Sequence, residues 1–318
     1  MVPKLIVRIE AINEEAESIR SYELRAVDGS DLPAFSAGSH IDFFLPGNMI
    51  RQYSLSNNPA ERHRYIVAVQ KEENGRGGSS YVHKNLKSGS QIEISHPRNH
   101  FELDETAGRY KLIAGGIGIT PILSMARRLK SLGKPFQLYY ACRNKQRAAF
   151  TEEMVASGLS AHVLYSFDDQ HGPLKTQALF GQPEKDVQIY CCGPTGLMDA
   201  VKKVTQNWPA GTVRFEHFSA DETTGPRADD GSFEVIINST GKCYLIPAGK
   251  SILAVLAENG IFVDNACCEG ICGTCETGLL DGEADHRDMV LSDQEKAENR
   301  HIMVCCSRAK SPSLTLDL

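Results

Sequence analysis

Hydrophobic and polar positions change their pattern twice along the chain, and the first pattern covers residues 1–103. Apolar or alternating runs of strand length follow one another there, at residues 5–9, 22–27, 40–45, 65–69 and 91–95. Gly, Pro, Asn and Asp separate these runs, with little helical sequence between them. Many closely spaced strands with few helices predict a small antiparallel β-barrel.

Between residues 104 and 220, near-continuous apolar runs alternate with segments of helical length. Strands are predicted over residues 110–114, 136–141, 161–165, 187–192 and 211–218, and helices over residues 121–132, 148–157 and 195–206. This alternation predicts an α/β domain whose parallel sheet is covered on both faces.

Residues 221–231 are rich in Asp, Thr, Gly and Pro, which is the composition of a linker. The remaining residues, 232–318, begin with a predicted hairpin at 233–237 and 242–246. A helix follows, with Ser251 as its N-cap and Gly260 at its end. A cysteine-rich loop, an acidic segment and a final alternating strand complete a small α+β domain.

The composition excludes some classes of protein. Of 318 residues, 41% are hydrophobic and 23% charged, and the formal net charge of −6 argues against nucleic-acid binding. No apolar run approaches about 18 residues and no signal peptide is seen, so we expect a cytoplasmic protein that does not cross a membrane. Four of the ten cysteines lie in apolar runs and are expected to be buried: Cys142, Cys191, Cys192 and Cys243.

The cysteine-rich loop has the spacing C-x4-C-x2-C when it is counted from Cys267 through Cys272 to Cys275. Cys305 and Cys306 follow about 30 residues after Cys275. Plant-type 2Fe–2S clusters are bound by this spacing together with one distant cysteine. The sequence therefore predicts an iron–sulfur cluster.

Two glycines in the cysteine-rich loop support the prediction of a cluster, whereas adjacent cysteines leave the choice of ligands open. Gly270 and Gly273 are expected to adopt positive φ, which lets the loop curl around a cluster and brings N–H groups towards its sulfurs. A zinc site would need two well-separated pairs of ligands, and a disulfide framework suits a short secreted chain, so both are disfavoured. Spacing alone leaves two choices of ligand open: Cys267 or Cys268, and Cys305 or Cys306.

Two motifs in the barrel region suggest a flavin site. Arg51, Tyr53 and Ser54 open a strand, and these residue types can bind a phosphate, stack on a ring and hydrogen-bond a ring nitrogen. The glycine-rich segment of residues 75–80 precedes a helical run and has the character of a phosphate cradle. Either motif alone also fits an ordinary strand or loop, so the prediction depends on their combination.

The first strand of the α/β region runs into three glycines, Gly115, Gly116 and Gly118. They allow a tight turn against a pyrophosphate, with Thr120 as the predicted N-cap and Pro121 as the first residue of the next helix. Carboxyl ends of parallel strands bind ligands in open α/β sheets, and two later strands end in the candidate residues Arg143, Cys192, Gly193 and Pro194. A surface ion pair is the alternative role of the arginine.

Taken together, these motifs resemble the phthalate dioxygenase reductase family, which includes the reductase components of vanillate and related demethylases. The resemblance runs from about residue 5 to the C-terminus. It is carried by Arg51-Gln52-Tyr53-Ser54-Leu55, Gly75-Arg76-Gly77-Gly78-Ser79, residues 115–121, Tyr190-Cys191-Cys192-Gly193-Pro194, Cys272-Gly273-Thr274-Cys275, residues 282–288 and residues 305–310.

The resemblance implies three domains. They are an antiparallel β-barrel for FMN at residues 1–103, a parallel-sheet α/β domain for NADH at residues 104–220, and a plant-type ferredoxin domain of β-grasp fold at residues 232–318. FMN in place of FAD is implied only by the resemblance, and NADH is preferred to NADPH. The implied cluster ligands are Cys267, Cys272, Cys275 and Cys305, which leaves Cys268 and Cys306 outside.

The resemblance also assigns residues to the organic cofactors. Contacts with FMN are implied for Arg51, Tyr53, Ser54, Val69, Gly77, Gly78, Ser79, Ser80 and Thr120, with Phe218 near the flavin at the exit towards the ferredoxin domain. Contacts with the nicotinamide nucleotide are implied for Gly116, Gly118, Arg143, Cys192, Gly193 and Pro194, next to Gly115 and Pro121. The candidate catalytic residues are Ser54, which would hydrogen-bond flavin N5, Thr120 and Cys192, which would shape the placement of the nicotinamide.

The implied reaction is electron transfer from NADH through FMN and a 2Fe–2S cluster to a separate terminal oxygenase of the Rieske type. We expect a monomer. The alternatives are a reductase for a different acceptor, such as a haem protein or a small-amine oxygenase, and a redox-sensing module without turnover.

Overall fold

A computed structural model describes residues 4–73, 75–219 and 224–318. The chain forms two compact units, here called the N-terminal unit, Pro3–Glu216, and the C-terminal unit, His217–Leu318. Part of the predicted linker, residues 221–223, lies outside the described residues. None of the described helices is long and apolar enough to cross a bilayer.

The first part of the N-terminal unit is a six-stranded antiparallel sheet with one helix, as predicted. Its elements are β1 (Lys4–Ala16), β2 (Ile19–Ala26), β3 (His40–Leu45), β4 (Met49–Ser54), β5 (Tyr65–Gln70), α1 (Gly78–Asn85) and β6 (Gln91–Ser95). The strand order is β4-β3-β6-β1-β2-β5. Side chains alternate along β1, where Val7 and Ile9 are fully buried and Arg8 is exposed, so one face of the sheet encloses the core.

The second part of the N-terminal unit is a parallel sheet of order β11-β10-β7-β8-β9. Its elements are β7 (Arg109–Gly115), α2 (Ile119–Ser131), β8 (Phe136–Cys142), α3 (Thr151–Ala156), β9 (Val163–Phe167), α4 (Asp168–His171), α5 (Thr176–Phe180), β10 (Val187–Cys192), α6 (Thr195–Val204) and β11 (Val213–Glu216). Consecutive residues of β10 are buried in two different hydrophobic cores. Cys192 packs in the core that contains α2, and Cys191 packs in the core that contains Met198 of α6. The prediction of a sheet covered on both faces is confirmed.

The C-terminal unit contains a mixed five-stranded sheet of order β13-β12-β18-β14-β16 and a small two-stranded sheet. Its elements are β12 (Phe233–Ile237), β13 (Cys243–Ile246), α7 (Ile252–Glu258), β14 (Glu276–Asp281), β15 (Ala284–Asp285), α8 (Asp293–Glu298), β16 (His301–Met303), β17 (Arg308–Ala309) and β18 (Ser313–Leu316). The predicted hairpin is formed by β12 and β13. Helix α7 buries Ile252 and Leu256 in the core that also contains Cys275 and Cys305.

Of the two predicted helix N-caps, one is confirmed and one is wrong. Ser251 caps α7 as predicted, because its Oγ accepts a hydrogen bond from the Ala254 N–H at 3.1 Å. Thr120 is not an N-cap: α2 already begins at Ile119, so Pro121 is the third helical residue, and the Thr120 hydroxyl donates to the Ile117 carbonyl at 3.1 Å.

The cysteine predictions were also only partly right. Cys142, Cys191 and Cys192 are buried, but Cys243 is exposed. The reason is its position on β13, an edge strand along which residues alternate between exposed and more buried positions. An apolar run thus predicted the strand correctly and the orientation of this side chain wrongly.

Candidate functional site

A positively charged corner forms where Arg51 of β4 meets the start of α1. The Arg51 guanidinium donates to the Arg76 carbonyl at 3.1 Å, and a Cβ added to Gly78 would lie 2.3 Å from Arg51 Nε. Gly77, which precedes the helix, has φ 81°. Glycines therefore let the guanidinium lie against the helix N-terminus. A full charge beside a helix N-terminus fits the phosphate of FMN.

The glycine-rich segment is held in shape by Glu72, a residue that the sequence patterns did not single out. The Glu72 N–H donates to Ser79 Oγ at 3.0 Å, and the Ser80 hydroxyl donates to the Glu72 carbonyl at 3.3 Å. Because both hydroxyls tie the loop to Glu72, we expect backbone N–H groups of the loop to provide the contacts with a phosphate.

Predicted ring contacts lie on β4 and β5. Tyr53 meets Phe43 edge to face, with ring centroids 4.9 Å apart, and burial raises the pKa of its phenol. Ser54 is buried opposite His40 in the β3–β4 ladder, and burial lowers the pKa of His40 to about 3. Val69 of β5 is also buried. The imidazole near Ser54 is therefore neutral at pH 7. Tyr53 and Val69 pack in the core of the barrel, so the contacts of these side chains with a flavin ring stay a prediction.

Within the N-terminal unit, helix α2 of the parallel-sheet domain is hydrogen-bonded to the barrel. The Ser124 hydroxyl donates to the Asn57 carbonyl at 3.0 Å, and the buried Arg127 donates to the Ser56 carbonyl at 2.7 Å. Strand β5 contacts the turn Gly116–Gly118 that precedes α2. The structure thus brings β5, which carries the candidate flavin residue Val69, next to the candidate nucleotide turn.

Two glycine-containing loops pack against each other at the carboxyl ends of β7 and β10. A Cβ on Gly118 would lie 2.3 Å from the Cys192 carbonyl oxygen, and one on Gly115 would lie 2.6 Å from Pro194 Cδ. Gly193 approaches Gly115 equally closely, since its Cβ would lie 2.9 Å from Gly115 Cα. The glycines are needed for this backbone contact. It forms at the edge of the sheet where α/β proteins bind nucleotides.

Cys192 and Glu216 are neighbours at this edge, because they are opposite each other in the parallel ladder of β10 and β11. Cys192 is fully buried, and burial raises the pKa of its thiol, so the sulfur is a neutral thiol and not a nucleophilic thiolate. Burial also raises the pKa of Glu216 to about 8, and its Oε2 has no hydrogen-bond partner among the described residues. Sequence analysis missed Glu216, for which the only signal is an acid at the end of an apolar strand.

Two further residues were predicted to contact the cofactors. Arg143 is exposed after β8, where its carbonyl accepts a hydrogen bond from the Asp169 N–H at 3.0 Å. Phe218 belongs to the C-terminal unit and is 41% exposed, so its predicted contact with the flavin stays a prediction.

The four predicted ligand thiols form two adjacent pairs. Cys267 hydrogen-bonds Cys272, which raises the pKa of Cys267 and lowers that of Cys272, and Cys275 hydrogen-bonds Cys305. The Glu269 N–H points at Cys267 Sγ from 3.3 Å. Within the described ranges, no three His, Cys, Asp or Glu side chains gather around one single-ion position. Two pairs of thiols fit a two-iron cluster better than a tetrahedral zinc site.

The two neighbouring cysteines, Cys268 and Cys306, have different surroundings. Cys268 adopts a left-handed φ of 56° and is exposed, with its thiol 3.6 Å from Asn265 Oδ1. Cys306 is buried with its thiol 3.8 Å from the Met303 carbonyl oxygen. Gly270 has the predicted positive φ, 70°, and a Cβ there would lie 2.5 Å from Cys306 Sγ. This geometry favours Cys267 over Cys268. Cys305 and Cys306 are both buried and hydrogen-bond each other, so the choice of Cys305 stays a prediction.

Comparisons with known proteins identify two of the predicted domains. Residues 235–310 match the 2Fe-2S iron-sulfur cluster binding domain, and residues 112–203 match the oxidoreductase NAD-binding domain. The chain is 45% identical to a vanillate O-demethylase oxidoreductase of Pseudomonas sp. (strain HR199 / DSM 7063), over 98% of this chain and 99% of the relative. It is 43% identical to a tetrachlorobenzoquinone reductase of Sphingobium chlorophenolicum, over 100% and 99% of the two chains.

A solved structure matches along the whole chain as well. It is a phthalate dioxygenase reductase, described as a modular structure for electron transfer from pyridine nucleotides to a 2Fe–2S centre. The TM-score is 0.73 and the identity 41%, over 99% of this chain and 98% of the other.

Proposed function

The chain belongs to the phthalate dioxygenase reductase family, and we propose that a separate Rieske-type terminal oxygenase receives its electrons. The protein is an NADH-dependent flavin iron–sulfur oxidoreductase and acts as the reductase component of an oxygenase system. The observation that carries the proposal is full-length similarity to reductases of demethylase and dioxygenase systems, together with two thiol pairs placed for a 2Fe–2S cluster.

When bound, FMN would supply a two-electron acceptor for the hydride of NADH, and the cluster would supply one-electron transfer. Arg51 and the N-terminus of α1 would hold the phosphate of FMN. Tyr53 and Val69 would line the flavin ring, and Ser54 would donate a hydrogen bond at the ring nitrogen N5. The contacts of Arg51 with Arg76 and Gly78 support this assignment, because they aim its charge at the helix N-terminus.

At the nucleotide site, the chain's own residues orient NADH and keep water away from the transferred hydride. The packed glycine loops at Gly118 and Gly193 give the nucleotide a close approach to the backbone. Cys192 contributes a neutral, buried thiol beside the nicotinamide, and Glu216 holds its proton at neutral pH because burial raises its pKa. A neutral carboxyl can donate a hydrogen bond without repelling the hydride.

Cys267, Cys272, Cys275 and Cys305 are the proposed ligands that would hold the cluster. The protein is proposed to work as a cytoplasmic monomer with three domains, at residues 1–103, 104–220 and 232–318. The matched ranges 112–203 and 235–310 support the last two divisions.

Reconstitution tests the proposed acceptor. The purified holoprotein, NADH and the oxygenase component of a vanillate O-demethylase are combined with vanillate, and demethylation is followed by product analysis. A chlorinated benzoquinone is assayed in parallel, because one relative is named for that activity. Coupled turnover with the oxygenase supports the proposal. Rapid quinone reduction without any transfer to this and related oxygenases contradicts it.

A further inference from the structure

The loop between α7 and the first cysteine of the cluster presents an exposed aromatic ring. Phe262 is 87% exposed, more than any other large apolar side chain in the described ranges. Its neighbours Ile261 and Val263 are half-buried against the core of the C-terminal unit, and the Ile261 N–H donates to the Leu256 carbonyl at 2.9 Å. The ring is therefore held outward between two anchored residues.

Hydrogen bonds connect this loop to Cys268, the neighbour of the proposed ligand Cys267. The Asn265 side chain donates to the Val263 carbonyl at 2.9 Å, and the Cys268 thiol lies 3.6 Å from Asn265 Oδ1. Asp264 and Cys268 are exposed on the same short loop as Phe262. An apolar ring and an acidic side chain thus lie a few residues before a cluster ligand.

Charge is unevenly distributed between the two parts of the chain. Residues 217–318 contain seventeen acidic and eight basic side chains, a net charge of −9, whereas the whole chain carries −6. The preceding 216 residues therefore carry +3. A strongly acidic unit attracts a basic surface and orients it during encounter.

We propose that Phe262, Asp264 and Cys268 form the docking surface for the electron-accepting oxygenase, here called the exit surface. The oxygenase would present an apolar recess for Phe262, surrounded by Lys and Arg side chains. Each docking event reduces the acceptor's iron centre by one electron and oxidises the reductase by one, and NADH restores the electrons. The inference depends on the proposed function, because it assumes a protein acceptor.

The variant Phe262→Ala tests the exit surface. Its matched control is Leu245→Ala, which removes another exposed apolar side chain of the C-terminal unit, 61% exposed on the edge strand β13. The holoprotein is assayed with three acceptors: the vanillate O-demethylase oxygenase component, cytochrome c as a basic haem protein, and ferricyanide as a small ion. Reduction of flavin and cluster by NADH is followed by absorbance before any acceptor is added.

For Phe262→Ala we expect kcat/KM to fall about tenfold with both protein acceptors, through KM, as for an aromatic residue at the centre of an interface. Ferricyanide reduction and internal reduction by NADH should stay within about twofold of wild type. Added salt should raise KM for the protein acceptors, because it screens the acidic unit. The control should match wild type with all three acceptors.

Three results would overturn the inference. They are unchanged kcat/KM of Phe262→Ala with the protein acceptors, an equal loss in Leu245→Ala, and slower reduction of the cluster by NADH in Phe262→Ala. The last result would place the residue in the internal transfer step. If wild type reduces cytochrome c but no oxygenase, the proposed partner is wrong, and a selective loss of cytochrome c reduction in Phe262→Ala still supports the exit surface.

Discussion

Replacing Gly118 by Ala should damage hydride transfer selectively. The new methyl group would lie 2.3 Å from the Cys192 carbonyl oxygen and 2.8 Å from the Gly193 nitrogen, both of which are backbone atoms. Since an ordinary contact begins near 3.4 Å, the two loops must separate by about 1 Å. A misplacement of about 1 Å costs a reaction of this kind on the order of 100-fold in rate, equivalent to about 2.7 kcal/mol of activation free energy.

Stopped-flow reduction of the bound flavin by excess NADH measures this effect. The rate constant should fall about 100-fold, and overpacking should lower the free energy of unfolding by about 1–3 kcal/mol. Gly196→Ala is the matched control, because no atom lies within 4 Å of its added Cβ and it sits in α6 next to the same site. In a helix this change should raise stability by up to about 1 kcal/mol and leave the rate unchanged.

The reasoning is refuted if Gly118→Ala folds, retains flavin and reduces it within about twofold of the wild-type rate. Such a result would mean that the contact between the two loops does not position the nicotinamide. A variant that loses flavin completely is rescued for the assay by added FMN, so that the rate can still be measured.

Three further changes test other parts of the structure. Cys272→Ser should abolish the cluster's visible absorbance and cytochrome c reduction while largely sparing flavin reduction by NADH; loss of both would contradict separate centres. Glu216→Gln should become more stable than wild type as pH rises from about 5 to 8, because the native carboxyl, with its pKa of about 8, keeps a proton that the unfolded chain has lost; parallel denaturant midpoints would contradict this. Asp230→Asn breaks the 2.7 Å ion pair with Arg287 and should lower the free energy of unfolding of the C-terminal unit by about 1–3 kcal/mol, measured by thermal unfolding. The control Glu258→Gln breaks the exposed ion pair with Lys250 and should cost under about 0.5 kcal/mol. The Asp230 pKa is lowered to about 2, chiefly by its hydrogen bond with Arg287, so the difference between Asp230→Asn and wild type should shrink as pH falls below about 4.

The pattern of apolar residues predicted the sheets, because the burial of a strand on one or both faces determines which of its own residues are apolar. Alternation along β1 and continuous apolar runs in β7 and β10 reflect one-sided and two-sided burial, respectively. The same local information predicted the cap of α7 at Ser251. It was insufficient at Thr120, because the helix begins at Ile119, two residues before the start that a hydroxyl followed by proline suggests.

Features that depend on contacts between distant residues were not predictable in this way. Glu216 becomes notable only because β11 lies beside β10, which puts its carboxyl next to Cys192. Glu72 matters because the chain turns back and lets its backbone hydrogen-bond Ser79 and Ser80 at the start of α1. No spacing rule connects these residues, so their roles depend on the folded structure.

The choice between the adjacent cysteines Cys267 and Cys268 also could not be predicted from sequence spacing. Cys267 and Cys268 are chemically identical and adjacent, so sequence spacing permits either one to bind iron. In the structure the left-handed backbone at Cys268 turns its side chain to the surface, while Cys267 Sγ receives the Glu269 N–H and lies beside Cys272. A thiolate at Cys267 thus already has a backbone hydrogen bond of the kind that tunes cluster potentials. Iron should therefore be retained in Cys268→Ser and lost in Cys267→Ser.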